Sequence, residues 1–205
     1  MTGTCVIVGA GEVDVPEIKI EAKDFVIGAD GGMEHLERLG IKADMALGDF
    51  DSLGYVPEHQ NLVLHPVMKD DTDMMLAAKE GMKLGYRKFR LYGGLGGRLD
   101  HTLANIQTLI YLSKRGAEVR LIGDGICVTA VTDGEISFDE TYRGVISIFC
   151  LNGKASGVTL WGLKYPLENA VLTSEMPLGV SNEFTGQKST VRVTDGTLII
   201  MWSEN

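Results

Sequence analysis

Aspartates recur in this sequence directly after short apolar segments. They stand in GADGG at residues 28–32, GDFDS at 48–52, KDDTD at 69–73 and GGLGGRLDH at 93–101. The preceding apolar segments are typical of parallel strands covered on both faces, and open parallel sheets bind ligands at the carboxyl ends of their strands. We therefore expect one edge of a sheet to gather the side chains of Asp30, Asp49, Asp51, Asp73 and Asp100.

Such a gathering of carboxylates requires positive charge. Two carboxylates about 5 Å apart repel by roughly 3 kcal/mol at an effective dielectric constant of about 20. Oxygen-rich sites without histidine suit Mg²⁺, which takes one or two carboxylates and shares itself with substrate phosphates. If Asp49, Phe50 and Asp51 form an extended segment, the two carboxylates point the same way. The cluster therefore predicts how a chain of formal net charge −9 binds a polyphosphate, namely through a metal ion.

Several of these aspartates also have a purely structural interpretation. Asp30 beside two glycines fits ordinary turn chemistry. Asp71 fits the N-cap of a helix that begins near Thr72, and Asp70 fits a solvated surface charge. Four such turns on one sheet edge favour a ligand site over these alternatives.

A glycine-rich loop is the second motif, and its members are Gly93, Gly94, Gly96 and Gly97. Glycines let backbone N–H groups approach an anion closely, and the following helix presents its positive end there. Arg98 is suited to clamping phosphate oxygens bidentately. At helical spacing Arg98, either His101 or Thr102, and Asn105 share one face. A glycine-rich loop alone is often only a tight connection, but this one lies on the same predicted edge as the aspartates.

The first part of the chain alternates strand and helix patterns, which predicts a doubly wound α/β domain with a mainly parallel sheet over residues 1–125. Strands are predicted at Thr4–Val8, Phe25–Ala29, Met45–Leu47, Leu62–His65, Lys88–Tyr92 and Glu118–Ile122. Helices are predicted at Gly32–Leu39, Thr72–Leu84 and His101–Arg115. In and just before the last helix, the residues predicted to face the sheet are Leu99, Leu103, Ile106 and Ile110.

The sequence pattern changes near Gly125. From there on, short β-rich segments separated by Gly, Asn and Asp replace the alternation of strand and helix patterns. Residues 126–205 are predicted to form an antiparallel β-sandwich domain. Its strands are predicted at Cys127–Thr132, Glu135–Phe138, Val145–Cys150, Val158–Trp161, Ser189–Thr194 and Thr197–Trp202.

Composition excludes several classes of protein. Hydrophobic residues make up 44% and charged residues 23%, as in soluble globular proteins, and no apolar run reaches about 18 residues, so we expect a cytoplasmic protein without a membrane partner. The acidic balance argues against a nucleic-acid partner. Three scattered cysteines suggest buried thiols. The sequence contains no Walker motif, no complete dinucleotide fingerprint and no protein-kinase signature.

These motifs, in this order, resemble the thiamine pyrophosphokinase family. The matching stretches are GADGG (28–32), LGDFDSL (47–53), KDDTDMMLAAK (69–79), GGLGGRLDHTLANI (93–106), GLKYPL (162–167) and SNEF (181–184). The resemblance implies an α/β catalytic domain followed by a β-sandwich that binds thiamine, in a homodimer where one subunit's sandwich helps complete the other's thiamine pocket. It also implies transfer of pyrophosphate from ATP to the hydroxyl of thiamine, with Mg²⁺ required and AMP released.

The resemblance assigns roles to matching positions. It implies that Asp49, Asp51 and Asp73 are the catalytic residues, which hold the metal and the β- and γ-phosphates. The implied nucleotide-binding residues are Asp30, Gly31, Gly93, Gly94, Gly96, Gly97, Arg98, Asp100 and Asn105. The implied thiamine-binding residues are Thr72, Ser181 and Asn182. Either Asp73 or Asp51 would accept the hydroxyl proton.

Two other functions are consistent with the residues. One is a phosphotransferase or pyrophosphokinase for another small alcohol, such as a hydroxymethyl pterin. The other is a non-catalytic sensor of nucleotide or thiamine. The aromatic side chains of Tyr165, Trp161 and Trp202 are candidates for contact with the thiazolium ring of thiamine, although packing within a core or an interface explains each of them better.

Overall fold

The computed structural model describes residues 2–13, 18–51, 53–65 and 70–203. Ser52 and Lys69, which belong to the motifs above, lie outside these ranges. The chain divides into two compact units, one of Met1–Leu112 with Ala117–Asp124 and the other of Ser113–Gly116 with Gly125–Asn205. Within the described ranges, no helix is both long enough and apolar enough to cross a membrane.

The first unit is a parallel α/β layer. Its strands are β1 (Cys5–Val8), β2 (Phe25–Ala29), β3 (Met45–Gly48), β4 (Leu62–Leu64), β5 (Lys88–Tyr92) and β6 (Glu118–Gly123). They lie in the order β6-β5-β1-β2-β3-β4, and every neighbouring pair is parallel. The helices are α1 (Gly32–Arg38), α2 (Asp73–Lys83) and α3 (Leu99–Ser113). The predicted fold class is confirmed.

The central strand explains why this layer forms. All four residues of β1 are fully buried between β2 and β5, as expected for a parallel strand covered on both faces. At its end, a Cβ atom on Gly32 would lie 1.8 Å from the carbonyl oxygen of Val8, so only glycine lets α1 begin this close to the sheet. The turn before α1 is therefore fixed against the carboxyl end of β1.

The predicted buried face of α3 is wrong in its first two turns. Leu99 and Leu103 are 72% and 54% exposed, whereas Ile106, Leu109 and Leu112 are buried. Asn105 on the same helix is also buried, and its side-chain Nδ2 donates to the carbonyl oxygen of Gly94 at 2.9 Å. The buried side of the helix therefore begins at Asn105 and Ile106 and does not include the leucines before them.

The second unit is entirely antiparallel. Its strands are β7 (Ile126–Thr132), β8 (Glu135–Phe138), β9 (Val145–Phe149), β10 (Lys154–Trp161), β11 (Leu167–Thr173), β12 (Gly179–Glu183), β13 (Ser189–Arg192) and β14 (Thr197–Ser203). One set has the order β12-β9-β14-β7 and the other β11-β10-β13-β8. Phe138 makes edge contacts with Phe184 and Trp202, with ring centroids 5.1 Å apart in both pairs.

Strands β11 and β12 were not among the predicted elements. Each contains a residue with a left-handed backbone, Asn169 at φ +48° and Ser181 at φ +57°. The pairing register shifts at both places. A bulge adds a residue to one strand, so it breaks the two-residue alternation by which a strand is recognised in a sequence.

Candidate active site

Three carboxylates come together at the carboxyl edge of the parallel sheet. Asp30 follows β2, and Asp49 and Asp51 follow β3. One oxygen from each of the three lies within 4.8 Å of the others. Carboxylates at such distances repel one another, and their oxygens are the ligands that Mg²⁺ prefers. The donor set therefore fits a magnesium ion that is shared with a phosphate ligand.

The backbone that presents Asp49 and Asp51 is a turn, so the predicted extended segment is wrong. Phe50 between them has φ +56°, and its ring is buried with 2% exposure. The N–H of Asp51 donates to Oδ1 of Asp49 at 3.4 Å, and the N–H of Leu53 donates to the carbonyl oxygen of Phe50 at 3.2 Å. The two carboxylates therefore lie close together because the chain folds around a buried aromatic ring.

Asp30 also stands on a left-handed turn that neighbouring backbone holds in place. Its backbone is left-handed, with φ +50°, and its N–H donates to the carbonyl oxygen of Leu47 at 2.8 Å. A Cβ atom at Gly48 would lie 3.0 Å from the Cα atom of Asp30. The two acidic turns therefore pack directly against each other, and each fixes the position of the other.

Helix α2 brings two further predicted residues. Thr72 is its N-cap, and its Oγ1 accepts from the N–H of Met75 at 3.2 Å. Asp73 is the first helical residue, although the three-carboxylate group found among the described residues does not include it. The alternative in which Asp71 caps this helix is wrong, because its carboxylate instead pairs with the ammonium group of Lys79 at 2.6 Å.

The glycine-rich loop is built in two parts. Its first part is tightly packed, since the N–H of Gly11 donates to the carbonyl oxygen of Gly93 at 3.0 Å, and a Cβ atom on Gly93 would lie 2.5 Å from the oxygen of Gly9. Its second part is open. Gly96 and Gly97 have φ +74° and +58°, and an added Cβ atom at either would meet nothing within 4 Å. The second part therefore offers bare backbone to a ligand.

Arg98 and Asp100 form a bidentate ion pair at the start of α3. Nε and Nη2 of Arg98 donate to the two carboxylate oxygens of Asp100 at 3.1 and 2.6 Å. This hydrogen bonding lowers the pKa of Asp100 to about 2, and in return it raises the pKa of Arg98. The pair uses two of the five N–H donors of the guanidinium group, so donors remain that can face a phosphate.

One cavity of about 510 Å³ unites most of the predicted residues. Those in its lining are Asp30, Asp49, Asp51, Thr72, Asp73, Gly93, Gly94, Gly96, Gly97, Arg98 and Asn105. Gly31 and Asp100 are not in the lining, but Asp100 pairs with Arg98, which is. The roles of these residues stay predictions.

Sequence reasoning assigned no role to several other residues of this lining. These are Gly9, Ala10, Gly11, Ala29, Met74 and Leu95. Gly9 and Gly11 do not complete a dinucleotide fingerprint, so the motif alone indicates no role for them. The signal that could have found them is their position, because the first strand of the sheet ends at the same edge as the aspartates.

Ser181 and Asn182 lie in β12 of the second unit. Asn182 is 3% exposed, and its amide holds the main chain of Tyr165: Oδ1 accepts from that residue's N–H at 3.0 Å, and Nδ2 donates to its carbonyl oxygen at 2.7 Å. Of the candidate aromatic residues, Trp202 is buried, whereas Trp161 and Tyr165 are exposed. Contact of these residues with thiamine stays a prediction.

Comparison with known proteins identifies the family. Sequence models described as "Thiamin pyrophosphokinase, catalytic domain" and "Thiamin pyrophosphokinase, vitamin B1 binding domain" match residues 17–121 and 134–198. The thiamine pyrophosphokinase of Bacillus subtilis is 33% identical over 185 residues, which cover 86% of each chain. Among solved structures, the crystal structure of thiamine pyrophosphokinase from Bacillus subtilis has a TM-score of 0.86 at 29% identity and covers 98% of this chain and 99% of its own. That of Geobacillus thermodenitrificans has a TM-score of 0.83 at 27% identity, with 98% of both chains covered. This chain belongs to the thiamine pyrophosphokinase family.

Proposed function

We propose that this protein transfers the pyrophosphoryl group of Mg–ATP to the hydroxyl group of thiamine, giving thiamine diphosphate and AMP. The observation that carries the proposal is the lining of a single cavity by the carboxylates of Asp30, Asp49 and Asp51, the glycine-rich loop and Arg98. This combination of a cation site and an anion site suits a triphosphate. The matches to a catalytic and a vitamin B1 binding domain add the identity of the acceptor.

In this proposal Asp49 and Asp51 hold the magnesium ion, with Asp73 at the start of α2 on the same cavity wall. When bound, Mg²⁺ supplies a Lewis acid that offsets the charge of the phosphates. Asp30 completes the group of carboxylate oxygens. Because these side chains stand on turns fixed by buried packing, they hold their positions before substrate arrives, which limits the reorganisation that the reaction requires.

The remaining residues position the two reactants. The open backbone at Gly96 and Gly97, together with Arg98, binds phosphate oxygens that develop charge. The hydroxyl oxygen of thiamine attacks the β-phosphorus, the bond to the oxygen that bridges to the α-phosphate breaks, and AMP leaves. The proton of the hydroxyl passes to a carboxylate, either Asp51 or Asp73. In-line positioning accounts for most of the catalysis, since no covalent intermediate is needed.

The proposed thiamine-binding residues are Thr72 in the first unit and, in the second unit, Ser181 and Asn182. Support for the role of the second unit comes from its match to the vitamin B1 binding domain, which includes both residues. We place the working enzyme in the cytoplasm, where ATP is supplied, and we propose that it is a homodimer. Light scattering at micromolar concentration is expected to give twice the chain mass of 22.2 kDa; a monomer would contradict the dimer.

A product assay tests the reaction. Purified protein with ATP, Mg²⁺ and thiamine is expected to release AMP and no ADP, and AMP release should stop when thiamine or Mg²⁺ is omitted. A panel of other small alcohols, including a hydroxymethyl pterin, serves as the control for the acceptor. Formation of ADP, or turnover of the pterin without turnover of thiamine, would overturn the proposal.

A further inference from the structure

A second cavity lies beside the candidate active site. Its volume is about 450 Å³, within the range of small-molecule sites. It shares three lining residues with the first cavity, namely Leu95, Gly96 and Gly97. Since an added Cβ atom at either glycine would meet nothing within 4 Å, a ligand that starts at the carboxylates can cross the loop at this point without meeting a side chain there.

The polar groups of the second cavity differ from those of the first. Helix α1 contributes His35 and Arg38, which are three residues apart and so share one face of the helix. Nε2 of His35 lies 2.8 Å from the carbonyl oxygen of Gly11. Since a carbonyl oxygen only accepts, Nε2 carries the proton, and Nδ1 is left to accept from Nη2 of Arg38 at 3.3 Å. The imidazole thus anchors the guanidinium group at the cavity.

Two carboxylates complete the polar lining of this cavity, Glu12 after β1 and Asp124 after β6. Both side chains are acceptors when ionised, so they suit ligand hydroxyl groups. They also disfavour phosphate groups, and the single guanidinium group does not outweigh the two carboxylates. A polyphosphate is therefore expected at the first cavity, while this cavity suits an uncharged group with hydroxyl donors and a flat ring that a guanidinium plane can stack on or donate to.

We propose that the second cavity binds the nucleoside part of the nucleotide substrate, with Arg38, held by His35, against the base and with Glu12 and Asp124 toward the ribose hydroxyl groups. The inference rests on the proposed function for the placement of the triphosphate in the first cavity. The same strand–turn–helix segment then serves both ends of the nucleotide, because Asp30 precedes α1 and Arg38 ends it. The specificity for a nucleotide over a bare polyphosphate resides in this cavity.

Calorimetry with two probes, Mg–ATP and Mg–tripolyphosphate, tests this proposal without requiring turnover. Arg38→Ala is expected to weaken ATP binding about tenfold, the loss typical of one charged hydrogen bond, with tripolyphosphate binding unchanged. The matched control is Lys42→Ala, which removes one exposed positive charge of the same unit that lines neither cavity. An equal loss for both probes, or no loss for ATP, would overturn the proposal.

The carboxylates have a separate test. Asp124 has a left-handed backbone with φ +55°, which asparagine also adopts readily, so Asp124→Asn removes charge without straining the turn. This variant is expected to weaken ATP binding about threefold and to leave tripolyphosphate binding unchanged. Unchanged ATP binding would contradict the proposed contact between Asp124 and the ribose hydroxyl groups. If the wild-type protein binds ATP but releases no AMP with thiamine, the proposed function fails while these binding experiments still decide the present inference.

Discussion

The acidic turns and the glycine-rich loop both use left-handed backbone at the same sheet edge, but they do so in opposite ways. In the acidic turns the left-handed residues are Asp30 and Phe50, which carry side chains, and the ring of Phe50 is buried. In the second part of the loop they are Gly96 and Gly97, which face open space. For a residue with a Cβ atom, the left-handed backbone conformation costs about 1–2 kcal/mol of conformational free energy. Glycine adopts this conformation without such a cost.

This difference indicates two kinds of binding surface. The strained turns persist because the surrounding packing outweighs their cost, so the fold itself fixes the carboxylates in place. The loop has no such packing at its tip, and its cation, Arg98, is 71% exposed and is held by Asp100. We infer that the acidic turns are preorganised and that the tip of the loop adjusts to the phosphates. Substitutions in the two regions should therefore differ in their effects on kcat and on the free energy of unfolding.

The strongest effect is expected for Asp49→Asn, which removes a carboxylate from the cluster while the turn keeps its shape. We expect kcat for AMP release to fall by more than about a hundredfold, because Asp49 is a proposed direct metal ligand, and loss of a residue that only orients ligands typically already costs ten- to a hundredfold. Circular dichroism and the melting temperature without Mg²⁺ should stay close to those of the wild type. Asp70→Asn is the matched control, since Asp70 is exposed and does not line the cavity. Turnover retained in Asp49→Asn would contradict the proposed role of Asp49 in holding the metal ion, whereas absence of AMP release from the wild type itself would favour a non-catalytic sensor.

Phe50→Ala tests whether packing holds the acidic turns. Truncation of a buried phenylalanine costs about 3–5 kcal/mol of unfolding free energy, and the turn should lose its fixed shape as well. The paired variant in the loop is Gly96→Ala, which is expected to cost only about 1 kcal/mol because the new methyl group meets no neighbour. Urea unfolding of both variants measures the contrast. Similar losses for the two would show that the regions are not held differently.

A smaller effect concerns the pH dependence of the loop. Because Arg98 lowers the pKa of Asp100 to about 2, the stabilisation from this pair is complete above the ordinary carboxyl pKa of 3.8 and is lost as the pH falls through about 2. Carboxyl ¹³C NMR at decreasing pH should follow this titration. Arg98→Ala is expected to raise the pKa of Asp100 toward 3.8. A wild-type midpoint already near 3.8 would mean that the ion pair is not populated in solution.

Much of the first unit could be predicted from the sequence because several of its strands are continuous apolar segments and because strand and helix patterns alternate along the chain. Phe25–Ala29 and Lys88–Tyr92 were predicted to the residue. The gathering of Asp30, Asp49 and Asp51 could also be predicted, since parallel strands bring their carboxyl ends to one edge. These features depend on local sequence pattern and on sheet topology, and a single sequence is enough to predict both.

What could not be predicted depends on particular long-range contacts. The left-handed turn at Phe50 is not encoded by its residue type, because phenylalanine seldom adopts this backbone and only the surrounding packing holds it there. The burial of Asn105 in α3 accompanies its hydrogen bond to Gly94, eleven residues away, and the leucine pattern does not show this contact. The second cavity was missed because Glu12, His35, Arg38 and Asp124 form no linear motif.

The amide of Asn182 has a consequence for how the two residues it links can vary. It bonds to the main-chain N–H and carbonyl group of Tyr165, so of all the amino acids the contact excludes only proline at position 165. Position 182 is constrained on both sides: aspartate would supply no donor, and glutamine would reach one methylene too far. The side chain at position 165 can therefore change while the hydrogen bonds to its main chain remain. The asparagine at position 182 cannot change without the loss of at least one of these hydrogen bonds.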